Sequence, residues 1–199
     1  MIRVGSKAFK AVKANMKMVE KDFPKAFVSA LNRSAAGIRT EAARKVREVY
    51  YVKHGDVLKK ISVTKATTGR MNVLIASKDR PIRLINFSTT PKSVPGKPPR
   101  MLKAAVKREG GKKPIPGAFV AEVRGSHSGV FQRTKQARHV KTGAGQWSEL
   151  PIDQLRGPAI PVMLSQPGIV QQLQVEAERR VSERLDHEIK RVLDRVKTT

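Results

Sequence analysis

The sequence predicts an α+β fold, with helices at the N-terminal end, a small antiparallel β-sheet in the middle and a long C-terminal helix. Three observations predict it. Apolar residues recur at three- and four-residue steps through the first quarter of the chain. Short apolar runs separated by glycine turns fill the middle. One helical face then continues unbroken to the end.

The first helix follows a candidate cap at Ser6 and carries Phe9, Val12, Met16 and Val19, with lysines between them. A second helix is expected to begin near Pro24, since a proline in the first turn has no N–H to leave unpaired. Its apolar face reads Phe27, Leu31, Ala35, Ile38, Ala42, Val46 and Val49. Gly37 weakens it by about 1 kcal/mol relative to Ala. Residues 56–61 read as a short helix, 61–64 as the start of a strand, 71–76 as an apolar run, and 81–87 as an edge strand or a short helix. Residues 88–100 hold four prolines, one glycine and three basic residues, a composition that buries no face, so an extended loop is expected there.

Residues 101–108 precede the turn Gly110-Gly111, residues 118–123 follow Pro116-Gly117, and a turn at 126–129 leads into 130–133; together they predict an antiparallel meander. Residues 134–149 are polar, basic and glycine-containing, with Trp147 the single large apolar group, and are expected as a second exposed loop. A helix over 166–197 closes the chain, its face formed by Ile169, Leu173, Ala177, Val181, Leu185, Ile189, Val192 and Val196. At 1.5 Å per residue it is roughly 45 Å long. Glu176–Arg180 and Glu188–Arg191 have the spacing of helical neighbours. The length of 199 residues suits one domain over 1–199.

Charge bounds the function. The chain carries a net +25; residues 1–150 hold 33 basic and 9 acidic side chains, whereas residues 151–199 hold 8 and 7. A cationic body of this kind attracts polyanions, nucleic acid or acidic protein. Aromatics make up 5% of the chain, which argues against a stacking platform for single-stranded nucleic acid. The absence of cysteine excludes disulfides, thiolate zinc sites and thiol nucleophiles. No run of 18 apolar residues exists to span a membrane. The N-terminus lacks the apolar core of a signal peptide, so synthesis and assembly in the cytoplasm are expected.

Catalytic and metal constellations are not visible. His54, His127, His139 and His187 form no helical pair and join no carboxylate cluster. Asp56, Asp79, Glu109, Glu122 and Glu149 are scattered, whereas metal-dependent phosphodiester cleavage needs converging carboxylates. Gly110-Gly111-Lys112-Lys113 is followed by Pro114 and a strand, not by the Ser or Thr and helix of a phosphate loop; a basic hairpin tip is the plainer reading. Lys7, Lys10, Lys13, Lys17 and Lys21 form a helical stripe that reads as a solvated face. No enzyme activity, cofactor, metal or small-molecule substrate is expected. The candidate contacts to DNA or a partner are Lys92, Lys97, Arg100, Lys112, Lys113, Lys135, Arg138 and Lys141, on the loops and hairpin tip.

Several segments have a recognisable cadence in order: Ala30-Leu31-Asn32-Arg33, Ile82-Arg83-Leu84-Ile85-Asn86-Phe87, Pro116-Gly117-Ala118-Phe119-Val120-Ala121, Gly129-Val130-Phe131-Gln132-Arg133, Leu150-Pro151-Ile152 and Gly157-Pro158-Ala159-Ile160-Pro161. Over residues 20–195 the chain resembles the minor tail protein Z, or tail completion, family of tailed bacteriophages. The resemblance implies a virion structural protein without catalytic residues, acting at the head-proximal end of the tail, with helices packed on a small antiparallel sheet. It implies as partners further copies of the chain in a ring, for which sixfold symmetry is the expectation, tail terminator or tail tube proteins, head–tail connector proteins, and genomic DNA in the channel. The neutral C-terminal helix is expected to pack between subunits. Gly117, Gly129 and Gly157 are read as turn residues, and Phe119 and Phe131 as core. The alternative is a general nucleic-acid-binding protein of ribosomal or nucleoid type, which has the same charge.

Overall fold

A computed structural model describes residues 6–96, 101–123, 127–141 and 147–198. Its elements in order are helix α1 (Ser6–Val49), helix α2 (His54–Lys59), strands β1 (Ile61–Thr64) and β2 (Leu74–Ser77), a 3-10 turn (Leu84–Asn86), strands β3 (Ser88–Thr90), β4 (Leu102–Ala105), β5 (Lys113–Ile115), β6 (Ala118–Val123), β7 (His127–Lys141) and β8 (Trp147–Gln154), and helices α3 (Ile160–Leu164) and α4 (Pro167–Thr198). The class is α+β. The described strands form three small antiparallel sheets, ordered β1-β2, β3-β4-β5 and β6-β7-β8.

The chain divides into two compact units. One comprises residues 1–42, 61–77 and 167–199, the other residues 43–60 and 78–166.

In the first unit α4 runs antiparallel to α1. Ser29 and Arg33 of α1 meet Glu188, whereas Ser34 and Glu41, further along, meet Arg180. The stripe of α1 on this side is Ala26, Ala30, Ser34, Gly37 and Glu41, at steps of four and three. Small side chains let two helices approach closely, and this stripe lies beside the larger apolar one that periodicity picks out. Gly37 is therefore more than a weak point: a Cβ there would stand 2.6 Å from an Arg180 guanidinium nitrogen. Asn32 holds the β1–β2 hairpin by two bonds to the same residue. Its Nδ2 donates to the Ala66 carbonyl at 3.1 Å, and its Oδ1 accepts from the Ala66 N–H at 2.8 Å.

The second unit is built on β-structure. Phe119 and Phe131 sit opposite one another on β6 and β7, ring centroids 6.3 Å apart. Val120, Val130 and Phe131 are buried with Phe87, Leu102, Ile160 and Met163. The end of α1 is tied to the segment after β4, where the Arg108 N–H donates to the Val49 carbonyl at 2.8 Å and the Tyr51 N–H to the Val106 carbonyl at 2.9 Å.

Four expectations change. A helix boundary at Pro24 is not observed, and α1 runs through it as one 44-residue helix. A proline inside a helix gives up one intrahelical hydrogen bond, and α1 continues past it into the apolar face that runs from Phe27 to Val49. Residues 134–149, expected as a loop, are strand as far as Lys141 and again from Trp147, with register shifts between Arg133 and Arg138. The sequence of this stretch has no apolar alternation to reveal strands, and residues 142–146 lie outside the described residues. The expected loop 88–100 begins as β3, continues without regular structure to Gly96, and then leaves the described residues. Gly129 and Gly157 are also not positive-φ turn residues, unlike Gly110, Gly111 and Gly117. Gly129 lies inside β7, where a Cβ would meet Gln154 and the Phe131 ring at 2.7 and 2.9 Å, and a Cβ on Gly157 would stand 2.5 Å from the Phe87 ring.

Candidate interaction surface

Two adjoining clefts in the second unit gather part of its positive charge. The larger, about 650 Å³, is lined by Lys53, Lys59, Lys60, Arg80, Arg83 and Arg156, against Asp56 and Asp79 as its carboxylates. Val52, Ile82 and Ile160 supply its apolar lining. The smaller, about 460 Å³, is lined by Arg47, Lys53, Lys92 and Arg108, with His54, Tyr51 and Phe87 and no carboxylate. Both share Val52, Lys53 and Asn86.

Local structure explains why these cations converge. Residues 82–84 pair with 155–157: the Leu84 N–H donates to the Leu155 carbonyl at 3.0 Å, and the Gly157 N–H to the Ile82 carbonyl at 2.7 Å. This pairing sets Arg83 directly opposite Arg156 in an antiparallel bridge. Like charges facing one another across such a bridge repel. The pairing requires Gly157, because the buried Phe87 ring packs against its backbone. In the smaller cleft the Arg108 Nε donates to the Arg47 carbonyl at 2.7 Å, and its guanidinium stacks 4.8 Å from the centre of the Tyr51 ring.

The lining charges are unevenly neutralised. Asp79 is engaged by Lys60 at 3.0 Å. Arg156 donates to the Gln154 side chain at 3.3 Å and reaches the Pro81 carbonyl at 3.5 Å, both neutral acceptors. Among the described residues no carboxylate lies within ion-pair distance of Lys53, Lys59, Arg80 or Arg83. Burial raises the phenol of Tyr50, which follows α1, above its ordinary pKa.

The sequence-predicted contacts fall in several places. Lys92 lines the smaller cleft. Lys112 donates to the Thr90 hydroxyl at 2.6 Å, and Lys113 is exposed on β5. Lys135, Arg138 and Lys141 belong to β7, with their side chains outside the described residues; Lys97 and Arg100 lie outside them altogether. Arg47, Lys53, Lys59, Lys60, Arg80, Arg83, Arg108 and Arg156 were missed, because they come from segments far apart in sequence. The local signal was the pair Lys59-Lys60 and the run Lys78, Arg80, Arg83.

Other constellations are structural. Glu122 accepts a hydrogen bond from the Ser128 hydroxyl at 3.2 Å, and Glu188 and Glu41 are held in the first unit. Asp56 and Asp79 do reach one cleft, but among the described residues no three His, Asp or Glu side chains are grouped to hold a metal ion. No described helix is long and apolar enough to cross a membrane.

The family model for prophage minor tail protein Z (GPZ) matches residues 7–199. No curated protein and no solved structure matches the chain.

Proposed function

Because the chain belongs to the prophage minor tail protein Z family, a family of structural phage tail proteins, we propose that it completes the head-proximal end of the tail and contributes to head–tail joining. In this reading copies of the chain form a ring, with six as the expected number, beside tail terminator or tail tube proteins and the head–tail connector. The cationic clefts and the basic β-structure face acidic surfaces of those neighbours or the DNA channel. No catalytic step is assigned to it.

The observation that carries the reading is the placement of the charge. Residues 43–60 and 78–166 hold 23 basic and 7 acidic side chains, a balance of +16, and part of that excess lines two clefts. A surface so charged repels its own copies unless an anionic partner neutralises it. Packing of α4 between subunits stays part of the proposal: the helix packs on α1 of its own chain and leaves Val170, Val175 and Leu193 exposed for a neighbour.

A salt wash tests it. Purely electrostatic attachment to nucleic acid weakens by orders of magnitude between low and moderate salt. The protein is expected to remain with purified phage particles through a high-salt wash and to be counted in whole rings. Release into the wash together with DNA favours the general nucleic-acid binder.

A further inference from the structure

We propose that the larger cleft is the docking site for an acidic, extended segment of another tail protein, whose carboxylates bridge Arg83 and Arg156 and whose apolar side chain rests on Val52 and Ile82. The inference rests on the reading of the chain as an assembled tail component. It adds the chemistry of one partner and the residues that hold it.

Three features of the cleft argue for this occupant. The Arg83–Arg156 bridge places two guanidinium groups on facing residues of a short antiparallel pairing. An anion between them turns that repulsion into two charge-assisted contacts, and guanidinium forks match carboxylates in geometry. The flanking cations Lys53, Lys59 and Arg80 have no carboxylate partner among the described residues, so further acidic groups find free charges on either side. The apolar lining selects between polyanions. Duplex DNA, stiff over about 150 base pairs, approaches a surface through its phosphates and has no side chain to send into the cleft. A peptide that alternates acidic and apolar residues satisfies both the rim and the floor. The volume of about 650 Å³ suits a few residues of extended chain, and a longer segment continues past Lys53 into the smaller cleft toward Arg108 and Tyr51.

The experiment uses the full chain at about physiological salt, where the Debye length is about 8 Å and diffuse attraction is screened. Fluorescence anisotropy follows a labelled synthetic peptide of alternating Glu and Leu, its Gln counterpart, and a duplex oligonucleotide. The Glu peptide is expected to bind, and the Gln peptide at least tenfold more weakly. The double variant Arg83→Gln/Arg156→Gln should lose at least tenfold in affinity. Lys53→Gln/Lys59→Gln, which changes exposed side chains at the rim, should also weaken binding severalfold and keeps the test alive if the arginine pair affects folding. A control of equal charge in the other unit, Lys25→Gln/Lys190→Gln, should change affinity less than twofold. Equal losses from the control and the cleft variants would overturn the proposal in favour of diffuse attraction. A duplex that binds through Arg83 and Arg156 while the Glu peptide does not would assign the cleft to nucleic acid. Loss of the peptide site in a protein that still co-purifies with tails sinks the cleft inference alone; absence from tails sinks the functional reading whatever the peptide does.

Discussion

Gly157 shows how much of this molecule is decided by single side chains that are missing. Its backbone lies under the Phe87 ring, and a Cβ would enter that ring's space at 2.5 Å. Phe87 is 2% exposed, so the ring has nowhere to move. Gly157→Ala is therefore expected to lower stability by roughly 1–3 kcal/mol, the usual cost of overpacking. Urea unfolding with an unchanged m-value checks it; a variant as stable as the parent would show that the ring yields. Asn32 makes the opposite case, a side chain with two functions. Asn32→Ala leaves the buried Ala66 backbone groups without their partner, and roughly 1–3 kcal/mol should be lost. Faster amide exchange at Ala66 would report it directly, and unchanged exchange would contradict it. At this scale the sequence was only half legible. It exposed Asn32 and Gly157 as parts of recurring motifs, but a clasp and a close approach involve residues 34 and 70 positions away, which no local pattern contains.

At the scale of elements, the α1–α4 pair depends on a buried carboxylate. Glu188 is 1% exposed on the face of α4 turned to α1, accepts from the Ser29 hydroxyl at 3.0 Å, and lies 3.6 Å from Arg33 and 3.0 Å from Arg191. Arg33 and Arg191 are half-exposed and return to water when Glu188 is removed, so the cost of Glu188→Ala falls on the Ser29 hydroxyl left without its acceptor, roughly 1–3 kcal/mol. Glu188→Gln, which keeps an acceptor for Ser29, should recover part of that loss in the same denaturation measurement; equal losses for both variants would assign the effect to packing alone. A second prediction concerns acid. Hydrogen bonding from Arg179, and then from Arg180, holds the Glu176 carboxyl down from 4.5 to about 2. A depressed carboxyl pKa stabilises the fold fully above its ordinary value and loses that contribution as pH falls through about 2. The helical circular dichroism signal should therefore fall more steeply between pH 4.5 and 2 in the parent than in Glu176→Gln. Superposable acid curves would contradict it. The helices were legible because apolar spacing marks them over many turns. Their partners were not, since the contact stripe of α1 is made of Ala, Ser, Gly and Glu. The β7–β8 ribbon was lost for the related reason that residues 134–149 carry no apolar alternation.

The whole molecule is a strongly basic chain, and folding brings part of its charge together in two clefts. The 41 basic side chains were visible at once as an excess in residues 1–150. The assembly of nine of them into two clefts was not, because it requires residues 47–60, 79–92, 108 and 154–160 to meet. The class of protein was legible through the order of its glycine, proline and apolar motifs. The structure gives those motifs a physical purpose, since residues 82–84 pair with 155–157, Phe87 packs on Gly157, and Ile82, Arg83, Asn86 and Ile160 line the larger cleft. The central claim is a place: a ring at the head-proximal end of the tail, with its cationic clefts occupied by acidic neighbours. A reconstruction of the intact neck by electron cryo-microscopy tests it most directly. This chain should appear in a closed ring, six copies strong, between tail tube and connector, with density from another protein in the cleft at Arg83 and Arg156. Finding the chain at the distal end of the tail, or absent from the particle, would contradict it.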